Sequence, residues 1–241
     1  MVNNYEFVKC PVCKKNNYNV IIYPLINKDK LTKKYYENIF KSSSSIFCDQ
    51  VVKCKNCGFV YLNPRIKKKI IDKGYSFSQD KEFISQNESR IKTFKNTLKK
   101  INKKINLHNK LILDIGSGGG AFLKACKDAK LKAEGVEPNK WLVKYAKKKY
   151  GVNIKTLNFF DIRKEFDVVC LFDVLEHIPD LNLTIKKISK LIKKKGYLVI
   201  NVPDHDSLAR KILKRNWPFY LSVHLHYFDK ISINKLLKKE Y

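Results

Sequence analysis

Hydrophobic and polar positions along this chain fall into three zones. From Leu107 onward, short apolar runs alternate with turns and with segments whose apolar residues recur every three or four positions. The runs Leu111–Ile115, Ala133–Val136, Asn153–Leu157, Phe166–Phe172 and Tyr197–Val202 predict strands. The segments Ala121–Ala129, Trp141–Lys149 and Leu181–Lys193 predict helices. Strands that alternate with helices imply an α/β fold, a parallel sheet with helices on both faces. Upstream, Ile84, Ile91, Phe94, Leu98, Ile101 and Ile105 form one apolar stripe, so residues 80–106 predict a single helix. Residues 1–75 are loop-rich, with a Ser42–Ser45 run and short β-like stretches at Val20–Tyr23 and Phe59–Leu62, the second closed by Asn63-Pro64. The expected division is a small domain over 1–75, a connector helix over 76–106 and the α/β domain over 107–241.

Composition narrows the class. Of 241 residues, 44% are hydrophobic and 12% aromatic, which excludes intrinsic disorder. No apolar run approaches the ~18–20 residues that span a bilayer. Met1–Cys10 carries no apolar signal core, so a cytoplasmic protein is expected. The net charge of +28 points toward nucleic acid or an anionic surface. Only five of the 50 basic residues are Arg (65, 90, 163, 210 and 215), and Asn and Ile are also abundant. That mix is a bias over the whole surface. Readers of nucleic acid favour the planar Arg fork, so a nucleic-acid partner is disfavoured.

The run Leu111-Ile-Leu-Asp-Ile-Gly-Ser-Gly-Gly-Gly120 ends a predicted strand and opens a predicted helix. Glycine lets the backbone turn tightly and approach a ligand, and the helix start offers unpaired N–H groups. Glu137 ends the next predicted strand, 21 residues after Gly116, where a carboxylate takes ribose hydroxyls in a nucleotide-binding βαβ unit. The spacing Asp-x-Gly-x-Gly-x-Gly departs from the dinucleotide pattern. Asp114–Gly120, then Glu137-Pro138, then Phe166-Asp-Val-Val-Cys-Leu-Phe-Asp-Val-Leu-Glu-His177, then Lys195-Gly-Tyr-Leu-Val-Ile-Asn-Val-Pro203 resemble a class I S-adenosylmethionine-dependent methyltransferase, over about residues 107–205.

The resemblance implies a Rossmann-like sheet and a set of cofactor contacts. Asp114, Gly116, Ser117, Gly118 and Gly120 would pack against the methionine part of S-adenosylmethionine. Glu137, followed by Pro138, would accept the ribose hydroxyls. Asp161 would take the adenine amino group, with Phe160 beside the ring and Asn158 as a near neighbour. Phe172 and Asp173 would border the transferred methyl.

Two Cys-x-x-Cys knuckles, Cys10-Pro-Val-Cys13 and Cys54-Lys-Asn-Cys57, supply four thiolates. Such a set closes a tetrahedral structural Zn²⁺ site with no open position. A redox pair is the alternative for either knuckle alone, and the presence of two favours zinc. The run Val52–Pro64 is similar to the zinc-binding segment that precedes some methyltransferase domains, several of which act on sugars. Cys48 stands apart, and Cys126 and Cys170 fall on apolar faces as core residues.

Methyl transfer needs positioning and, for a weakly acidic nucleophile, a base. His177 follows the fourth strand. His224 and His226 lie in the aromatic segment Trp217–Asp229, after the fifth. Loops at the carboxyl ends of parallel strands form the site, so all three are expected on the methyl side, with the aromatic segment covering it. Ile231–Tyr241 reads as a helix where the class I fold has two further strands, so the sheet is expected to be five-stranded or shortened. The expected activity is methyl transfer to a small-molecule acceptor, a sugar, sugar nucleotide or polysaccharide precursor. The alternatives are an RNA or protein methyltransferase and an inactive cofactor-binding protein.

Overall fold

The computed structural model describes residues 4–25, 39–40, 47 and 49–238. The Ser42–Ser45 run and Cys48 lie outside the described residues. Five strands form a parallel sheet: β6 (Leu111–Ile115), β7 (Lys132–Glu137), β8 (Ile154–Thr156), β9 (Phe166–Phe172) and β10 (Ile192–Asn201). Their spatial order is β10-β9-β6-β7-β8. The sheet is therefore five-stranded among the described residues, as the run of strands predicted. The order reverses at β6, so the carboxyl ends of β6 and β9 open a crevice.

Period-two alternation decides what each face meets. Ile112, Val168 and Cys170 point to Leu98, Phe122 and Cys126, on helices α3 (Asn87–Ile105) and α4 (Ala121–Asp128). Leu113, Ile115, Val169 and Leu171 point the other way, to Leu181, Ile185 and Ile188 of α6 (Leu181–Ser189). Helix α5 (Lys140–Tyr150) is capped by Asn139, whose side chain accepts from Trp141 and Leu142 N–H, and stops at Gly151 in the left-handed region.

Three elements differ from expectation. The predicted 80–106 helix is two pieces, α2 (Lys81–Ser85) and α3, and a further helix α1 (Lys68–Phe77) precedes them. Asp80 caps α2 by accepting from Phe83 N–H, which starts a new helix where the stripe alone suggested continuity. As expected of a connector helix packed on a core, α3 lies along α4. Helix α6 ends at Ser189 rather than Lys193, and β10 starts early through a register shift between Ile192 and Tyr197.

The amino-terminal region forms a second, antiparallel sheet from β2 (Tyr18–Ile22), β3 (Val51–Cys54), β4 (Val60–Leu62) and β11 (His226–Tyr227). A short pair, β1 (Tyr5–Glu6) with β5 (Arg65–Ile66), flanks it. Strand β11 comes from the far end of the chain, so the residues expected to belong wholly to the α/β domain complete the amino-terminal sheet. Val52, Phe59 and Tyr61 share one core with Leu113, Val169 and Ile185. The two expected domains are fused through apolar packing. The last described helices are α7 (Leu208–Leu213) and α8 (Lys230–Leu237), and α8 is capped by a reciprocal Asp229–Ser232 box.

Candidate functional site

The glycine loop follows β6 and turns into α4. Gly116 (φ +72°) lets the loop pass against Val174, whose methyl would meet an added Cβ at 2.6 Å. Gly120 (φ +78°) starts α4, and an added Cβ would stand 2.8 Å from that of Ala146. Gly120 was expected at the ligand; its work is packing α4 against α5, and it does not line the cleft. Asp114, Gly116, Ser117 and Gly118 do line it. The loop is pinned to β7, because Gly116 and Ser117 N–H donate to Val136 O at 2.9 and 3.1 Å.

Glu137 lies at the carboxyl end of β7 and is fully buried. Its two oxygens accept from Gly118 N–H and Asn139 N–H, both at 2.9 Å. Burial pushes its pKa up to about 7, against those two donors, which favour the charged form. Asn139 Nδ2 donates to Tyr75 O and Ser78 O, so the end of α1 and Ser78 are tied to the turn that follows Glu137. Asp114, also buried, has its pKa raised to about 8 by burial, with Ser117 opposing the rise and Glu137 adding to it.

Two cavities share Gly116, Tyr75 and His177. The smaller, about 250 Å³, is bounded by Val136, Pro138, Leu157, Asn158 and Phe160. Asp161 is absent from it. The residue sits in a 3-10 turn (Phe159–Asp161) that leaves it exposed, whereas Asn158 and Phe160 line the cavity. The larger cavity, about 430 Å³, runs from the glycine loop to Phe172, Asp173, Glu176, His177 and His224. Asp173 (φ +55°) accepts from Asn201 Nδ2 at 2.7 Å. The Phe172 ring packs on Phe94 and Phe122 and forms part of the wall.

His177 and His224 come together, with ring centroids 4.7 Å apart. Each Nδ1 faces a backbone carbonyl, Val223 O at 3.0 Å and Phe219 O at 2.9 Å. A carbonyl only accepts, so each Nδ1 carries the ring proton and each Nε2 presents a lone pair. Burial lowers the pKa of His177 to about 4 and, with His177 as the second cause, that of His224 to about 3. Both rings are neutral at pH 7. His226 is elsewhere. It was expected on the methyl side, but β11 carries it into the amino-terminal core, against Phe59 and Phe228, with Nε2 on Ile178 O at 3.0 Å. His224 lies before β11, and the pairing of His226 with Tyr61 of β4 is what draws residue 226 away from the cavity. The aromatic cover is likewise mostly core. Trp217, Tyr220 and Tyr227 pack on Val51, Val60 and Leu62, and only Phe219, Leu221, Val223 and His224 of that segment reach the cavity.

Three cavity residues carried no weight in the sequence reading. Arg90 of α3 stacks its guanidinium 3.8 Å over the Phe83 ring and faces the cavity. It is one of five Arg in a Lys-rich chain, which was the available signal. Tyr75 comes from α1, which the apolar stripe did not reveal. Glu176 sits in the quoted Leu-Glu-His run and is 1% exposed, and neither carboxylate oxygen has a hydrogen-bond partner. An acid inside an apolar stretch was its signal.

The four knuckle cysteines converge. Cys10 and Cys57 sulfurs are 3.5 Å apart, as are Cys13 and Cys54, and all four lie within 4.8 Å of one another. Zinc with bonds of about 2.3 Å holds tetrahedral thiolates about 3.8 Å apart, so the set fits that ion. The knuckles repeat one geometry: Lys14 N–H donates to Cys10 O and Gly58 N–H to Cys54 O, with φ of +63° and +79°. No helix among the described residues is long and apolar enough to cross a membrane.

Comparison with known proteins agrees with this architecture. A family model described as "Methyltransferase domain" matches residues 83–240. A ubiquinone biosynthesis O-methyltransferase of Coxiella burnetii is 29% identical over 132 residues, covering 52% of each chain. Its counterpart in Pelagibacter ubique is 33% identical over 103 residues, 39% of this chain and 42% of that one. The chain thus spans about half the length of the curated relatives it matches. Among solved structures, a SAM-dependent methyltransferase from Archaeoglobus fulgidus superposes with a TM-score of 0.55 at 24% identity, covering 66% of this chain and 73% of that one. A glycine loop bound to the next strand, a crevice at the β6/β9 reversal and a family match over most of the chain place this protein among the class I S-adenosylmethionine-dependent methyltransferases.

Proposed function

We propose that this chain methylates a small molecule, a sugar or sugar nucleotide by preference, in the larger cavity. The observation that carries the reading is the continuity of that cavity from the glycine loop to two neutral imidazoles at the ends of β9 and of the segment after β10. When bound, S-adenosylmethionine supplies a methyl group made reactive by its sulfonium leaving group. Glu137 would hold the ribose hydroxyls. Asn158 and Phe160 would bound the adenine. Arg90, the one Lys or Arg among the described cavity residues, would meet the cofactor carboxylate. His177 or His224, with Nε2 free and unprotonated, would serve as base for a hydroxyl acceptor. The name of the curated relatives, a small-molecule O-methyltransferase, supports the acceptor class. The Cys10, Cys13, Cys54 and Cys57 set would hold a structural Zn²⁺ that ties the two knuckles together.

The test is transfer of labelled methyl from S-adenosylmethionine to a panel of nucleotide sugars, phenols and total RNA. Label on nucleotide sugars supports the reading. Label on RNA alone would overturn the acceptor assignment and leave the cofactor assignment standing.

A further inference from the structure

The chain carries a net +28, yet the larger cavity is lined by three carboxyl groups, Asp114, Asp173 and Glu176, and among its described residues by one basic side chain, Arg90. Arg90 is already engaged over Phe83. At the far end of the cavity, Glu176, His177 and His224 each place one atom within 4.8 Å of the others. All three offer lone pairs. Val223 O and Phe219 O occupy both Nδ1 positions, which leaves each Nε2 as an acceptor. Both Glu176 oxygens are buried and without a partner. A buried polar group with no partner is costly, and an orphaned carboxyl gathered with two imidazole Nε2 acceptors suits a ligand rich in donors and poor in acceptors.

We propose that Glu176, His177 and His224 form a recognition site for a protonated amine of the methyl acceptor, beside the position of the transferred methyl. This rests on the methyltransferase reading above and narrows its substrate class to amine-bearing small molecules, such as amino sugars. A hydroxyl brings one proton to three acceptors. An ammonium brings up to three, in a tetrahedral array. With charge-assisted bonds of about 2.8 Å its acceptors stand about 4.6 Å apart, the scale on which these three side chains gather. Burial has raised the Glu176 pKa to about 8, so the carboxylate can also take one ammonium proton and leave a nitrogen lone pair. Among the described residues the cavity holds no Lys that would compete for the site.

The full chain is titrated by calorimetry with three cofactor-like probes, each with excess EDTA and again with Mg²⁺. S-adenosylhomocysteine is a neutral thioether, S-adenosylmethionine a sulfonium, and sinefungin carries an amine in place of the methyl. Wild type should bind sinefungin at least tenfold more tightly than S-adenosylhomocysteine, with or without Mg²⁺. Glu176→Gln should abolish that advantage, keep S-adenosylhomocysteine affinity within about twofold, and leave the ratio of S-adenosylmethionine to S-adenosylhomocysteine unchanged. His224→Asn should reduce the advantage by a smaller factor. Equal advantage in wild type and Glu176→Gln overturns the proposal. So does an equal loss for S-adenosylmethionine, which assigns Glu176 to the sulfonium, and so does an advantage present only with Mg²⁺, which makes the cation a metal. Failure of all three probes to bind wild type overturns the cofactor assignment itself, and the amine site with it.

Discussion

Replacing Glu176 by Gln should make the ligand-free protein more stable, and increasingly so as pH rises. The carboxyl is 1% exposed, has no side-chain partner on either oxygen, and burial raises its pKa from 4.5 to about 8, with its own backbone N–H opposing the rise and Asp173 adding to it. An acid whose folded pKa exceeds its unfolded value holds its proton more tightly in the fold. Its contribution to stability is therefore full below pH 4.5 and is lost as pH climbs toward 8. Each pKa unit corresponds to about 1.4 kcal/mol, and relaxation around a buried charge shrinks the total, so about 1–3 kcal/mol is expected at pH 8. For a chain of this length that is a rise in Tm of about 2–10 °C. The amide does not titrate, and the His177 and His224 shifts are common to both proteins, so their difference isolates this ionisation. Urea denaturation at half-unit steps from pH 4.5 to 8.5 measures it. The gap should be near zero at the acid end and widen steadily. Equal stability at pH 8, or a gap that is constant with pH, would refute a buried, uncompensated carboxylate at this position.

Purified protein should carry one zinc per chain, and Cys54→Ser should lose it while the parallel sheet stays folded; metal analysis together with circular dichroism decides. Glu137→Ala should weaken S-adenosylmethionine at least tenfold by calorimetry, since a charged hydrogen bond contributes about 1.5–3 kcal/mol and this residue also holds Gly118 N–H. Gly120→Ala should destabilise by about 1–3 kcal/mol in thermal melts, because it meets Ala146 at 2.8 Å in a left-handed backbone. His226→Asn should lower stability and leave cofactor affinity intact, whereas His177→Asn or His224→Asn should cut turnover on an identified acceptor, by about 10²–10⁴ if the ring is the base. Loss of cofactor affinity in the His226 variant, at a temperature where it is fully folded, would contradict its place in the amino-terminal core.

Local pattern carried the α/β half of this protein. The central strands β6 and β9 are short apolar runs, and the helices are amphipathic repeats, because burial on two faces or one leaves that imprint on consecutive residues. The glycine loop and Glu137 were legible for the same reason: a backbone turn and a strand end are local events. The two cysteine knuckles were legible from spacing alone. What the sequence left open depended on contacts between distant segments. His224 and His226 are two residues apart and read alike, yet only pairing of β11 with β4 sends one into the cavity and the other into the core. Asp161 and Asn158 are close in sequence, and a 3-10 turn decides which faces the cleft. Arg90 and Tyr75 reach the cavity only because α1 and α3 fold back over the sheet, and Glu176 is orphaned only because the segment around His224 closes above it. Sequence period determines which face a residue takes; tertiary packing alone determines what that face meets.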